Sequence, residues 1–127
     1  MKVLVTGSRS WDDRLAVNAA LIMMANVARS REEGLVVIHG AARGADTMAH
    51  DWAKHWYDRG RPVQPVAYPA DWSKGKRAGM DRNRLMVDEN PDIDYVLAFP
   101  LGESKGTRGC MKYAESKGLL VINLGDK

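Results

Sequence analysis

Three glycine-bearing breaks in this chain carry residue types that hold oxyanions well. Thr6-Gly7-Ser8-Arg9 combines a tight turn, a hydroxyl and a guanidinium able to fork onto a phosphate or carboxylate. Gly40-Ala41-Ala42-Arg43-Gly44-Ala45-Asp46 is nearly free of bulk, which suits close approach of a ligand to backbone N–H groups. Asp46, near a helix start, can bind a ribose hydroxyl or simply cap the helix. Gly102-Glu103-Ser104-Lys105-Gly106-Thr107 brackets a loop with two glycines and puts the Thr107 hydroxyl in the first turn of the next helix. Backbone donors and the helix dipole there favour an anion. Each break also has a plain reading, as a strand-ending turn, a capped helix or a flexible loop. Three of them in one small chain point to a phosphate-bearing ligand.

Other residues can join such a site. Trp72, in Ala70-Asp71-Trp72, can stack on a base or plug the core. A mild basic cluster follows it, at Lys74, Lys76, Arg77, Arg82 and Arg84, able to form a lid over the crevice or, on an alternative reading, to serve a DNA- or protein-binding adaptor. Arg82-Asn83 shares a helical face with Met86, so Arg82 is either buried against a ligand or reaches past the apolar surface to water. His39 ends an apolar run and reads as a hydrogen-bonded core histidine rather than a catalyst. The three-glycine dinucleotide fingerprint and the Walker-type Gly-Lys-Ser/Thr are both absent from the sequence. That argues against ordinary NAD dehydrogenases and P-loop NTPases.

The elements that must position these residues alternate strand and helix throughout. Apolar runs predict strands at about 2–6, 35–39, 62–68, 95–99 and 119–123. Helical spacing predicts helices at about 12–31, 45–59, 78–89 and 106–117. In the first helix the expected inward row is Leu15, Ala19, Ile22 and Asn26, flanked by Leu21 and Ala25; in the second it is Ala45, Met48, Ala49, Trp52, Ala53 and Trp56. Pro62 and Pro65 remove ladder donors and place the third strand at a sheet edge. Alternation implies right-handed crossovers and a parallel sheet. The expected fold class is α/β: one Rossmann-like three-layer domain over residues 1–127, with about five strands in the order 3-2-1-4-5. That order reverses between strands 1 and 4, where open sheets of this kind bind ligands.

Bulk properties set bounds. The chain has 127 residues, enough for one domain with a real core. Hydrophobic residues are 45% and charged residues 28%, as in ordinary globular proteins. A net charge of +3 permits a nucleic-acid partner without favouring one. Cys110 is the single cysteine; it reads as a small buried residue, and its isolation fits a reducing cytoplasm. No signal peptide or membrane span is expected, and no metal cluster is visible, although a phosphate ligand can bring Mg²⁺ with it. Met23 and Met24 beside Leu21 and Ile22 make the first helix apolar more than halfway round, which predicts a homo-oligomer, most simply a dimer.

In combination these motifs resemble the SLOG superfamily. Pro100-x-Gly102-x-x-x-Gly106-Thr107 is similar to the Pro-Gly-Gly-x-Gly-Thr loop of that group, which includes the cytokinin-activating LOG phosphoribohydrolases and the DNA-processing protein DprA. Gly7-Ser8-Arg9, His39-Gly40-Ala41-x-x-Gly44-Ala45-Asp46, Ala70-Asp71-Trp72, Lys76-x-Ala78-Gly79 and Arg82-Asn83-x-x-Met86 resemble the YspA/YpsA-related branch in identity and order, over nearly the whole length. The resemblance implies a Rossmann-like sheet binding a nucleotide or nucleotide-derived ligand, in proteins proposed as sensors in phage or plasmid conflict or acting on N-glycosidic bonds. The chain departs from the enzyme pattern. LOG enzymes follow Gly-Thr with a glutamate, whereas Arg108, Gly109 and Cys110 follow Thr107 here, and the loop is one residue longer between its glycines. Asp46, Asp71, Asp81 and Glu103 are the candidate substitutes, since such cleavage needs a carboxylate.

Overall fold

The computed structural model describes residues 1–126. Its elements run β1 (Lys2–Gly7), α1 (Arg14–Ser30), β2 (Leu35–His39), α2 (Ala45–Tyr57), β3 (Val63–Ala67), a short 3₁₀ turn (Trp72–Lys74), α3 (Ala78–Asp88), β4 (Tyr95–Phe99), α4 (Lys105–Ser116) and β5 (Val121–Asn123). All strand pairs are parallel, in the order β3-β2-β1-β4-β5. The proline-bearing β3 is at an edge, with Pro65 opposite Val37.

Strand alternation divides the core. Val3 and Val5 of β1, Leu35 and Val37 of β2, and Leu97 and Phe99 of β4 pack with α1 and α2. Leu4, Ile38 and Val96, one position out of phase, pack with Met86 and Val87 of α3 and with Cys110 and Ala114 of α4. β1 is buried on both faces, so it reads as an unbroken apolar run rather than an alternating one. Each fully buried Leu or Ile here contributes roughly 1.5–3 kcal/mol of transfer free energy. Helices on both faces make the expected three layers.

Helix α1 differs from expectation in phase. Its buried row is Val17, Leu21, Met24 and Ala28. Leu15 is 80% exposed and Ile22 49%. Two apolar rows at helical spacing compete in this segment, and periodicity alone does not say which faces the sheet. The helix begins at Arg14 because the Asp13 side chain accepts the Ala16 N–H at 3.0 Å, satisfying a first-turn donor.

Candidate functional site

The register brings the C-terminal ends of β1 and β4 side by side: Thr6 pairs with Ala98 and Gly7 with Phe99. Their following loops diverge, β1 toward the α1–α2 face and β4 toward the α3–α4 face, and a cleft of about 570 Å³ opens between them. It is the crevice at which the sheet order reverses.

The loop after β1 is rigid by construction. Ser8 N–H donates to Phe99 O at 3.0 Å, and Ser8 O accepts the Trp11 N–H at 3.1 Å. The Ser8 hydroxyl lies 2.9 Å from that of Ser10. A side chain at Gly7 would meet Ala45 Cβ at 2.5 Å, so α2 packs directly on this loop. Arg9 is exposed and lies over the Trp72 ring, 5.2 Å from its centroid. Trp72 is itself half exposed, lining the cleft rather than plugging the core.

The loop after β2 is organised by Asp46. Its Oδ2 accepts the Gly40 N–H at 2.9 Å and the Ala42 N–H at 3.5 Å. The carboxylate therefore ties its own approach loop, while Gly44 holds the N-cap position of α2 without a side-chain bond. Oδ1 is buried and has no partner among the described residues. Burial pushes the Asp46 carboxyl up to about 6, against the opposing pull of the Gly40 and Ala42 amides, Arg82 and Arg9. His39 is fully tied. Its Nδ1 accepts the Ala41 N–H at 3.0 Å, which leaves Nε2–H to donate to His50 Nδ1 at 2.9 Å. Burial first, then His50 and Arg82, lower the His39 imidazolium to about 4, so the ring is neutral, as a core histidine should be.

Arg82 projects from α3 over this loop. Its Nη1 donates to Gly40 O and, at 3.4 Å, to Tyr68 O, and its Nε donates to Asn83 Oδ1 at 2.7 Å. A side chain at Gly40 would meet the guanidinium at 2.6 Å, so Arg82 would have to shift to admit one. Asn83 reaches across to Gly106 O at 3.4 Å. On the β4 side, α4 begins without a side-chain cap, at Ser104 in the left-handed region with φ 39. Its first turn, from Ser104 to Thr107, lines the cleft, and Thr107 is buried.

Of the residues singled out in sequence, the cleft gathers Gly7, Ser8, Arg9, Asp46, Trp72, Arg82, Asn83, Gly106 and Thr107. Gly40, Ala41, Gly44 and Gly102 are outside its lining. Gly40 and Ala41 instead supply the amides that Asp46 and His39 hold. Gly102 folds toward the C-terminal segment, its N–H donating to Asp126 at 2.8 Å and its carbonyl accepting from Arg108 at 2.7 Å. Asp71, Asp81 and Glu103 are exposed and also outside the lining. Asp71 is occupied with Ser73, whose hydroxyl and amide hold its carboxyl below the usual range. Lys76 and Arg84 of the basic cluster join the cleft as cations, whereas Lys74 and Arg77 are outside its lining; Lys105 also lines it and is not among the residues singled out in sequence. Thr6 of β1 and Gly109, Cys110 and Tyr113 of α4 also line it.

A larger recess, about 730 Å³, opens near the strands' other ends, beside Leu35 and Val63, and is lined by Trp52, Trp56 and Ile22. It contains none of the three glycine breaks.

Cys110 is buried, and burial pushes its thiol up to about 11. The native protein is therefore expected to resist Ellman's reagent at about pH 8 and to release a full equivalent of thiol only in denaturant. Labelling at the same rate in both conditions would contradict the burial.

The family model described as YspA, cpYpsA-related SLOG family matches residues 1–75. The Gene 61 protein of Mycobacterium phage D29 is 49% identical over 127 residues, covering 99% of this chain and 98% of that protein.

Proposed function

The chain belongs to the YspA, cpYpsA-related SLOG family, and on that premise we propose that its cleft binds a phosphate-bearing, nucleotide-derived ligand of the ADP-ribose, NAD or nucleoside phosphate kind. The observation that carries this reading is the charge of the lining. Arg9, Lys76, Arg82, Arg84 and Lys105 face it against a single carboxylate, Asp46, among the described residues. The whole chain has a surplus of only +3. Concentrating cations in one crevice, beside the uncapped start of α4, fits an anionic group. Trp72, half exposed at the rim, offers a face for a base.

Binding is favoured over hydrolysis of an N-glycosidic bond. Cys110, which follows Thr107 in the stretch where LOG enzymes carry glutamate, is a neutral buried thiol. Asp71, Asp81 and Glu103 are outside the cleft's lining. Hydrolysis would rest on Asp46 alone, and no free base is expected from AMP or NAD.

The test is thermal unfolding with ADP-ribose, NAD and AMP at millimolar concentration. A ligand at one hundred times its Kd stabilises by about 2.7 kcal/mol, which is a shift of several degrees. Arg9→Ala and Lys105→Ala are each expected to remove most of that shift. An unmoved melting curve with every ligand overturns the reading.

A further inference from the structure

The cleft carries an unmatched buried acceptor as well as a charge. Asp46 is 5% exposed, and its two oxygens are treated unequally. Oδ2 takes both loop amides, while Oδ1 is buried with no donor among the described residues. An unmatched buried acceptor costs about 1–3 kcal/mol, more when charged, and native proteins keep few of them. The groups that act on Asp46 electrostatically are Arg9 from the β1 loop, Arg82 from α3 and Cys110 from α4. None of these donates a hydrogen bond to Oδ1. Arg82 is engaged with Gly40, Tyr68 and Asn83, and Arg9 lies on Trp72.

We propose that Asp46 Oδ1 is the acceptor for a sugar hydroxyl of the ligand, so that the cleft selects sugar phosphates over phosphate esters without hydroxyls. This rests on the reading of the cleft as a phosphate site. A phosphate cannot use Oδ1, because an ionised carboxylate repels it and has no proton to share. A hydroxyl can, since it donates and carries no charge. Asp46 lines the cleft, which is the side from which a ligand hydroxyl would reach Oδ1. The division of labour is then clear: cations and the α4 amides take the phosphate, and Asp46 reads the sugar.

The experiment compares ribose 5-phosphate with methyl phosphate by titration calorimetry on the wild type and on Asp46→Asn. The two probes share a phosphate monoester and differ in the sugar. Asparagine keeps an oxygen for the Gly40 N–H and turns the Oδ1 position from acceptor into donor. The wild type is expected to bind ribose 5-phosphate at least roughly tenfold more tightly than methyl phosphate. Asp46→Asn should lose that margin while binding methyl phosphate as well as, or better than, the wild type, because a negative charge has left an anion site. Melting curves of the variant establish that it is folded, and the wild-type comparison does not depend on it. Equal affinity of the wild type for both probes, or a variant that moves both affinities the same way, overturns the proposal and leaves the phosphate reading standing. Failure of the wild type to bind either probe overturns both.

Discussion

Asp46→Asn is expected to melt higher than the wild type near neutral pH, by about 2 kcal/mol or roughly 6–10 °C, even as it loses sugar recognition. The reason is the raised carboxyl. Asp46 titrates at about 6 in the fold against 3.8 in its ordinary state. An Asp whose folded value is raised burdens the fold when ionised. The burden is absent below about pH 4, grows as pH rises toward 6, and is complete above it, on the order of 3 kcal/mol. Asparagine mimics the protonated form, so its advantage should fade as pH falls toward 4. His39 runs the other way. Its folded value is about 4 against 6.5 unfolded, so the fold gains stability as pH rises from 4 to 6.5. In the wild type the two trends largely cancel, and the melting temperature should change little across that window. In Asp46→Asn the His39 trend should stand alone, with stability climbing steadily over the same range. Melting curves at half-unit steps of pH from 4 to 8 check both statements. A variant no more stable than the wild type at pH 7.5 would contradict the burial argument.

Gly44→Ala is expected to be among the most damaging single substitutions in the chain. Gly44 has φ 79 and ψ −129, a conformation closed to side-chain-bearing residues, and a Cβ there would collide with the Ser8 carbonyl oxygen. The collision is with backbone, which cannot rotate away. Backbone strain and the clash together should remove on the order of 3 kcal/mol or more, a large share of the 5–15 kcal/mol that holds a domain of this kind folded. Gly109→Ala is the control. A Cβ at Gly109 meets nothing within 4 Å, and the residue lies inside α4, so alanine should be neutral or stabilising by about 0.5–1 kcal/mol. Chemical denaturation of the two variants is expected to show midpoints displaced in opposite directions. Similar midpoints would mean that the loops after β1 and β2 can separate without cost.

The fold was legible because β1, β2 and β4 are buried on both faces and so appear as short unbroken apolar runs, each running into a glycine-bearing break. The alternation of those runs with helices allows few topologies. The phase of α1 was not legible, because Leu15, Ile22 and Met23 are apolar yet exposed. At the candidate site, Gly7, Ser8, Arg9, Gly106 and Thr107 of the breaks line the cleft, whereas Gly40, Ala41, Gly44 and Gly102 do not. The bond from Asp46 to its own loop amides could not be read, because a carboxylate that closes a loop and one that caps a helix occupy the same place in sequence. Glu103 fell outside the cleft because Arg108 holds the Gly102 and Glu103 carbonyls and turns that loop outward. Lys105 became a site residue through the meeting of α3 and α4, which no local pattern encodes.

The two walls of the cleft differ in how much change they can absorb. On the β1–β2 side, added side chains at Gly7, Gly40 and Gly44 strike Ala45, Arg82 and the Ser8 backbone. On the β4–α4 side, Gly106 and Gly109 face open space. New side chains can thus enter the site from α4 without disturbing the loops that close around Asp46. Under the proposed function, the architecture separates a fixed part of recognition from a part free to diversify, and a lineage under pressure to track a changing ligand would accumulate its substitutions on α4.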